Sequence, residues 1–137
     1  MSKGIGIIAH KFFEDNKNVI YKYGNYNLNI PEFRNENHVY DGTITIQKDC
    51  FVEPEIHEKW KKQSSGKKKH ILKRVPVNVN YGDMLYDGRI VVKNCSNCWM
   101  ITEDEYMIDK MIFHILFYIF LKYQEEGEIP ERISYEV

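Results

Sequence analysis

The chain has few cysteines, no long apolar run and almost no net charge. Its three cysteines are an odd number, which does not fit the paired disulfides of small secreted domains. The longest apolar run, residues 111–121, is far shorter than the roughly 20 residues of a membrane span, and His114 interrupts it. A formal net charge of −1 excludes a protein that is basic overall, so bulk attraction to nucleic acid is not expected.

Motifs that would indicate a reaction are also missing. The sequence has no phosphate-binding loop and no nucleophile motif, and its five histidines share no recognised spacing. The first ten residues lack the long apolar region of a signal peptide. We therefore expect a cytoplasmic protein that is not an enzyme, uses no cofactor or metal ion, and does not associate with membranes.

Residues 102–126 carry the strongest pattern, and they predict one long helix. Thr102 and Glu105 form a capping box at its start, while Gly127 and Pro130 supply the stop. Apolar side chains recur between these ends at helical spacing: Ile108, Met111, Ile112, Phe113, Ile115, Leu116, Phe117, Ile119 and Phe120. A helix this apolar must be covered on most sides by the rest of the chain.

Short segments rich in β-branched and aromatic residues predict strands around this helix. They cover residues 4–10, 18–23, 43–46, 89–93 and 133–137, and the asparagine-rich residues 24–38 predict a long loop. This order indicates a single α+β domain spanning residues 1–137. We expect an antiparallel sheet of about five to seven strands, curled around one long C-terminal helix.

A basic hairpin is predicted at about residues 55–79. Residues 55–63 and 67–79 have the composition of two strands around the turn Ser64-Ser65-Gly66, and Pro76 marks an edge or a bulge. Eight Lys or Arg residues and no acidic residue lie between Lys59 and Arg74, and apolar residues are sparse. Such a hairpin cannot be buried, so we expect it to protrude from the domain.

Cys95-x-x-Cys98 is the sharpest local motif. A redox function would require a cysteine at a helix N-terminus, but the predicted helix begins several residues later. A zinc site would need two further ligands, which Cys50 with His57 or His70 could supply. A single CxxC pair is a weak motif, and we therefore expect two inert thiols.

Charge is segregated along the chain. In contrast to the basic hairpin, residues 103–137 contain nine acidic residues and three Lys or Arg residues. Such segregation favours electrostatic steering of a charged partner. The candidate partner-binding residues are Trp60, Lys61, Lys62, Lys67, Lys68, Lys69 and Arg74 in the hairpin, Glu103, Asp104, Glu125 and Glu126 at the helix ends, and Tyr26 and Arg34 in the loop.

In general type, the chain resembles the immunity proteins that protect bacteria from their own toxins. The likeness lies in a small single α+β domain, rich in Tyr and Asn, with segregated charge and no catalytic motif. It implies a non-enzymatic protein-binding module that occludes the active site of a toxin domain. Two alternatives stay open: a nucleic-acid-binding protein that uses residues 59–74, and a small enzyme or zinc protein without a recognisable motif.

Overall fold

The computed structural model describes residues 3–103 and 108–137, and it has an α+β fold as the sequence predicts. The strands are β1 (Ile5–Glu14), β2 (Asn18–Asn27), β3 (Gly42–Gln47), β4 (Glu55–Lys62), β5 (Lys68–Val75), β6 (Ile90–Lys93) and β7 (Arg132–Glu136). The helices are α1 (Tyr81–Tyr86) and α2 (Met111–Glu126). Within the described ranges, no helix combines the length and the apolar character that crossing a membrane requires.

Five of the strands form one antiparallel sheet in the order β6-β3-β2-β1-β7. The last strand, β7, pairs with β1 from Gly6 opposite Glu136 to His10 opposite Arg132, which confirms the edge strand predicted at the end of the chain. Among the described residues, strands β4 and β5 pair only with each other, and they form a separate two-stranded ribbon.

The core lies between one face of the sheet and α2. The buried side chains of the sheet alternate along the strands: Ile7, Ala9, Val19, Tyr21, Tyr23, Ile44, Ile46, Ile90 and Ile133. The helix contributes Met111, Ile112, Ile115, Leu116, Ile119 and Phe120 to the same cluster. The predicted apolar face is therefore largely the buried face, although Phe117 is 49% exposed.

The long helix begins later than the capping box predicts. Residues 100–102 and 108–110 face each other instead: Ile101 bridges Asp109, and the Thr102 hydroxyl accepts a hydrogen bond from the Ile108 N–H at 3.1 Å. Asp109 then accepts the Met111 N–H at 2.9 Å, so it satisfies a free donor at the helix start. Glu105 lies outside the described residues. The predicted stop is confirmed, since Gly127 adopts a left-handed conformation with φ of 77°.

The structure also differs from the sequence prediction at several strand ends and at one helix. Strand β1 continues to Glu14, because the turn that joins it to β2 is confined to residues 15–17. Strand β2 continues to Asn27, because its last residues pair with the beginning of β1, where Asn27 lies opposite Ile5. Strand β5 ends at Val75, just before Pro76, and not at residue 79. Helix α1 was not predicted; the Asn80 side chain caps it by accepting the Asp83 N–H.

Candidate functional site

The ribbon formed by β4 and β5 is the most exposed element of the described chain. Its strands pair without a bulge from Glu55 opposite Val75 to Lys62 opposite Lys68. Gly66, with φ of 82°, adopts the left-handed conformation in the turn, and the Gln63 N–H closes that turn on the Lys67 carbonyl at 2.7 Å. Every residue of β4 is exposed. The predicted protruding basic hairpin is therefore confirmed.

The two faces of the ribbon differ in chemistry, since residues that lie opposite each other in an antiparallel pair share a face. One face, which we call the lysine face, contains Lys59, Lys61, Lys69 and Lys73. The other, which we call the apolar face, contains the apolar residues Ile56, Trp60 and Leu72, and it also contains Lys62, Lys68 and Arg74. The sequence predicts the basic charge of the hairpin, but this division into two faces follows only from the register.

Trp60 lies on the apolar face next to the Lys62–Lys68 pair, with Leu72 and Ile56 following towards the base of the ribbon. Its ring stacks on the His70 ring across the two strands, with centroids 4.7 Å apart and planes inclined by 25°. Ile56, Trp60 and Leu72 are 51%, 64% and 60% exposed, so the domain itself leaves this apolar surface uncovered. Contiguous exposed apolar side chains of this kind are typical of binding surfaces.

The ribbon lysines have no acidic partner among residues 3–103 and 108–137. The ion pairs of the described chain involve other cations, while none of the seven lysines joins one. These lysines are Lys59, Lys61, Lys62, Lys67, Lys68, Lys69 and Lys73. Their charge is thus unneutralised within the described part of the protein and available to a partner.

Arg74 differs from the other predicted ribbon residues because it connects the ribbon to the domain. Its Nε donates to the Gln124 carbonyl at 2.7 Å, in the last turn of α2, and its guanidinium lies 4.0 Å from Glu53. A cation at this position stabilises the negative end of the helix dipole. Arg74 therefore anchors the base of the ribbon and is not part of its free surface.

The structure does not gather the predicted acidic residues at two ends of a helix. Glu103 is exposed in the connection before α2, and Asp104 lies outside the described residues. Glu125 and Glu126 are exposed in the last turn of α2, where Glu126 lies 3.5 Å from Lys122. The described first turn of α2 has no acidic residue, because the helix begins at Met111.

Tyr26 and Arg34 also lie apart from the ribbon strands. Tyr26 belongs to β2 rather than to a loop, and its half-buried ring covers Gly6 of β1. Arg34 is exposed, and its Nε donates to the Leu28 carbonyl at 3.2 Å. The contacts of Tyr26 with Gly6 and of Arg34 with Leu28 are thus made within the domain, away from the ribbon.

A second site is buried where the β6–α2 connection meets β2. The sulfur atoms of Cys95 and Cys98 lie 3.2 Å apart, and the Cys98 thiol donates to Asp109 Oδ2 at 3.2 Å. The Asn25 side-chain amide donates to the same carboxylate oxygen. The Tyr23 hydroxyl accepts the Cys95 N–H at 3.0 Å. Two thiols and a carboxyl group thus share one small buried space.

The acid groups of this cluster have perturbed pKa values. Burial raises the pKa of Asp109. The hydrogen bond with Cys98 lowers the pKa of the Cys95 thiol, and the same hydrogen bond, together with burial, raises that of Cys98. Cys50 is a simpler case, because burial alone is the main cause that raises its pKa to about 11.

The metal set considered from the sequence is not brought together. Cys50 lies buried in a short 3₁₀ turn, whereas His57 and His70 are exposed on the ribbon. In the described ranges, the group with metal-binding geometry is Cys95, Cys98 and Asp109, whose ligand atoms all lie within 4.8 Å of one another. Sequence reasoning missed Asp109 because it treated residues 102–126 as continuous helix.

Comparison of the chain with protein-family models, with curated proteins and with solved structures found no match.

Proposed function

We propose that the protein is a non-enzymatic binding module of the immunity type, and that its ribbon covers an acidic surface of a partner protein. The observation that carries this proposal is the exposed apolar face of the ribbon beside seven lysines that no described acid neutralises. A toxin domain whose active site is occluded by the ribbon is the partner that the immunity type implies.

A protein partner is favoured over nucleic acid by the aliphatic side chains. Ile56 and Leu72 lie on the same face as Trp60, between it and the base of the ribbon, and each is more than half exposed. A phosphate backbone offers nothing for such side chains to bury, whereas protein interfaces combine an apolar, aromatic centre with a charged rim. We expect Trp60 to contribute most of the binding energy, since tryptophan is enriched among the residues that dominate the energy of protein interfaces.

The lysines act mainly on the rate of association in this account. Positive charge on a protruding ribbon attracts an acidic surface over a distance of about one Debye length, near 8 Å at physiological salt. Such attraction accelerates encounter and orients the partner before the apolar face is buried. The partner that fits therefore has an apolar depression surrounded by acidic residues.

Nucleic-acid binding is the second candidate, and the lysine face is the observation that favours it. Lys59, Lys61, Lys69 and Lys73 lie on one face of a two-stranded ribbon, the type of element that some proteins place in a DNA groove. The stacked rings of Trp60 and His70 add a surface on which an unpaired base could stack.

Capture from a native lysate, with and without nuclease, separates the two candidates. Two tagged variants divide the ribbon: I56S/L72S alters the apolar face, and K59Q/K61Q/K69Q/K73Q alters the lysine face. V91S is the matched control, because Val91 is 44% exposed but lies on β6, in the separate sheet.

The proposal requires one stoichiometric protein that survives nuclease, is retained by V91S and is lost with I56S/L72S. Bound material that disappears with nuclease and with the lysine-face variant would replace the proposal by the nucleic-acid candidate. A partner retained equally by all variants would show that the ribbon is not the contact.

A further inference from the structure

The loop that carries Cys95 and Cys98 is held in place at every residue from 95 to 97. Tyr23 fixes the Cys95 N–H, and Asp41 Oδ1 accepts the Ser96 N–H at 2.9 Å. The Asn97 side chain donates to two carbonyls, those of Asn25 and Phe33, at 2.8 and 2.9 Å. Contacts from three separate parts of the chain thus position the two sulfur atoms before any ligand arrives, as a preorganised site requires.

Asp109 completes the cluster from the other end of the β6–α2 connection. Its two carboxylate oxygens accept different hydrogen bonds. Oδ1 accepts the Met111 N–H at the start of α2, and Oδ2 accepts from the Cys98 thiol and the Asn25 amide. The helix start therefore fixes the direction of the carboxylate. In metal sites, hydrogen bonds from neighbouring residues orient the ligands in the same way.

The surroundings of the cluster favour a cation. Asp109 is fully buried, yet no Lys, Arg or His forms an ion pair with it in the described chain. Asn25 is also fully buried, and its side-chain oxygen has no hydrogen-bond partner among the described residues. Three acid groups and an unpartnered amide carbonyl are thus adjacent in a buried space, where a positive charge would be stabilised.

We propose that Cys95, Cys98 and Asp109 bind a zinc-type divalent ion. Two thiolates and one carboxylate suit zinc rather than magnesium or calcium, which prefer all-oxygen ligands. Three protein ligands leave one position of a tetrahedral ion for a further ligand. The ion would join the loop after β6 to the start of α2, next to Asn25 on β2.

Metal binding to the full chain tests this assignment directly. The reduced protein is stripped with a chelator, loaded with Zn²⁺ and desalted, and its metal content is measured. We expect one zinc ion per chain in the wild type and in C50S, and none in C95S/C98S. Cys50 is the matched control because it is a buried cysteine outside the cluster.

Cobalt substitution gives a readout that does not depend on the folding of a variant. Co²⁺ bound to the wild type should give the intense near-ultraviolet charge-transfer absorption of cobalt–thiolate bonds, and added Zn²⁺ should abolish it. D109N should weaken zinc binding at least about tenfold, and N25A by about ten- to a hundredfold, as expected for loss of a supporting hydrogen bond.

Three results would overturn the proposal. The first is zinc content in the reduced wild type no higher than in C95S/C98S. The second is Co²⁺ binding without thiolate absorption. The third is a reduced wild type that does not take up Zn²⁺ but forms a Cys95–Cys98 disulfide in air, detected as a loss of two hydrogens by mass, which would reassign the pair as a redox couple.

Discussion

Gln124, in the last turn of α2, binds both backbone groups of Val77. The Val77 N–H donates to Gln124 Oε1 at 2.6 Å, and Gln124 Nε2 donates to the Val77 carbonyl at 3.1 Å. A neighbouring strand would satisfy these groups in a sheet, but β5 has already ended at Val75. The Gln124 side-chain amide thus makes the two hydrogen bonds that a neighbouring strand would otherwise make with Val77, just after the end of the ribbon.

The contact between Gln124 and Val77 should stabilise the fold. Q124A should reduce the free energy of unfolding by about 1–2 kcal/mol, because two partly buried backbone groups lose their partners. Urea unfolding measures the change. Q63A, in the exposed turn region of the ribbon, is the control and should remain within about 0.5 kcal/mol of the wild type. Equal stability of Q124A and Q63A would contradict the assigned role.

Replacing glycine by alanine should have opposite effects on stability at Gly24 and at Gly82. A Cβ at Gly24 would lie 2.3 Å from the Val39 carbonyl oxygen and 2.6 Å from the Tyr40 ring, so the backbone would have to move. A Cβ at Gly82, in α1, would have one near neighbour in the described part of the chain, Asn80 Oδ1 at 3.7 Å.

G24A should therefore lower the free energy of unfolding by about 1–3 kcal/mol, whereas G82A should raise it by about 0.5 kcal/mol through helix propensity. Thermal and urea unfolding of both variants provide the measurement. A stable G24A variant would mean that the segment after the 31–33 turn does not pack on β2 as described.

Glu14 predicts a stability difference that depends on pH. Lys11 and Lys48 each donate to its carboxylate at 2.8 Å, and these hydrogen bonds, that of Lys11 first, lower its pKa in the folded state. Because the pKa of Glu14 is lower in the folded state, its charged carboxylate stabilises the fold at any pH above the unfolded-state pKa of 4.5. This stabilisation is lost as the pH falls from 4.5 through the lower pKa of the folded state.

E14Q should therefore cost about 0.5–1 kcal/mol of unfolding free energy at pH 7, the upper range for surface ion pairs. The difference from the wild type should shrink below pH 4.5. E128Q is the control, because the exposed Glu128 joins no ion pair within the described ranges. A penalty for E14Q that is constant from pH 7 to acid would contradict the assignment to charge.

The lysine face predicts an effect on association kinetics. K59Q/K61Q/K69Q/K73Q should slow binding of the captured partner at low salt and should flatten the dependence of the association rate on salt. The dissociation rate should change less. Stopped-flow mixing at several salt concentrations measures both rates, with K3Q as a control outside the ribbon. An unchanged salt dependence would remove the steering role of these lysines.

The sequence predicts the architecture well where the pattern is local. Alternating apolar residues identify the strands, and the eight basic residues from Lys59 to Arg74 identify a hairpin that cannot be buried. The helix stop at Gly127 is also local, since it needs only a left-handed residue. The two faces of the ribbon require one further fact, which is the register that pairs Trp60 with His70.

Features that depend on distant contacts were not predictable in this way. Thr102 has the local pattern of a helix cap, but its hydroxyl binds the Ile108 N–H because residues 100–102 pair with 108–110. The true partner of the helix start, Asp109, therefore lay inside the predicted helix. Asp109 lies beside Cys95 and Cys98 because of the way the whole β6–α2 connection folds, and the spacing of these residues in the sequence does not predict that.

In the proposed function, the ribbon binds a partner protein through its apolar face. The affinity of W60A for the captured partner tests it most directly, with Y86A as the control because Tyr86 is 75% exposed and lies on α1. Both variants should unfold at the same denaturant concentration as the wild type. We predict that W60A binds at least about 30-fold more weakly, roughly 2 kcal/mol, and that Y86A stays within about twofold. Equal affinity of W60A and the wild type would show that the apolar face of the ribbon is not the contact.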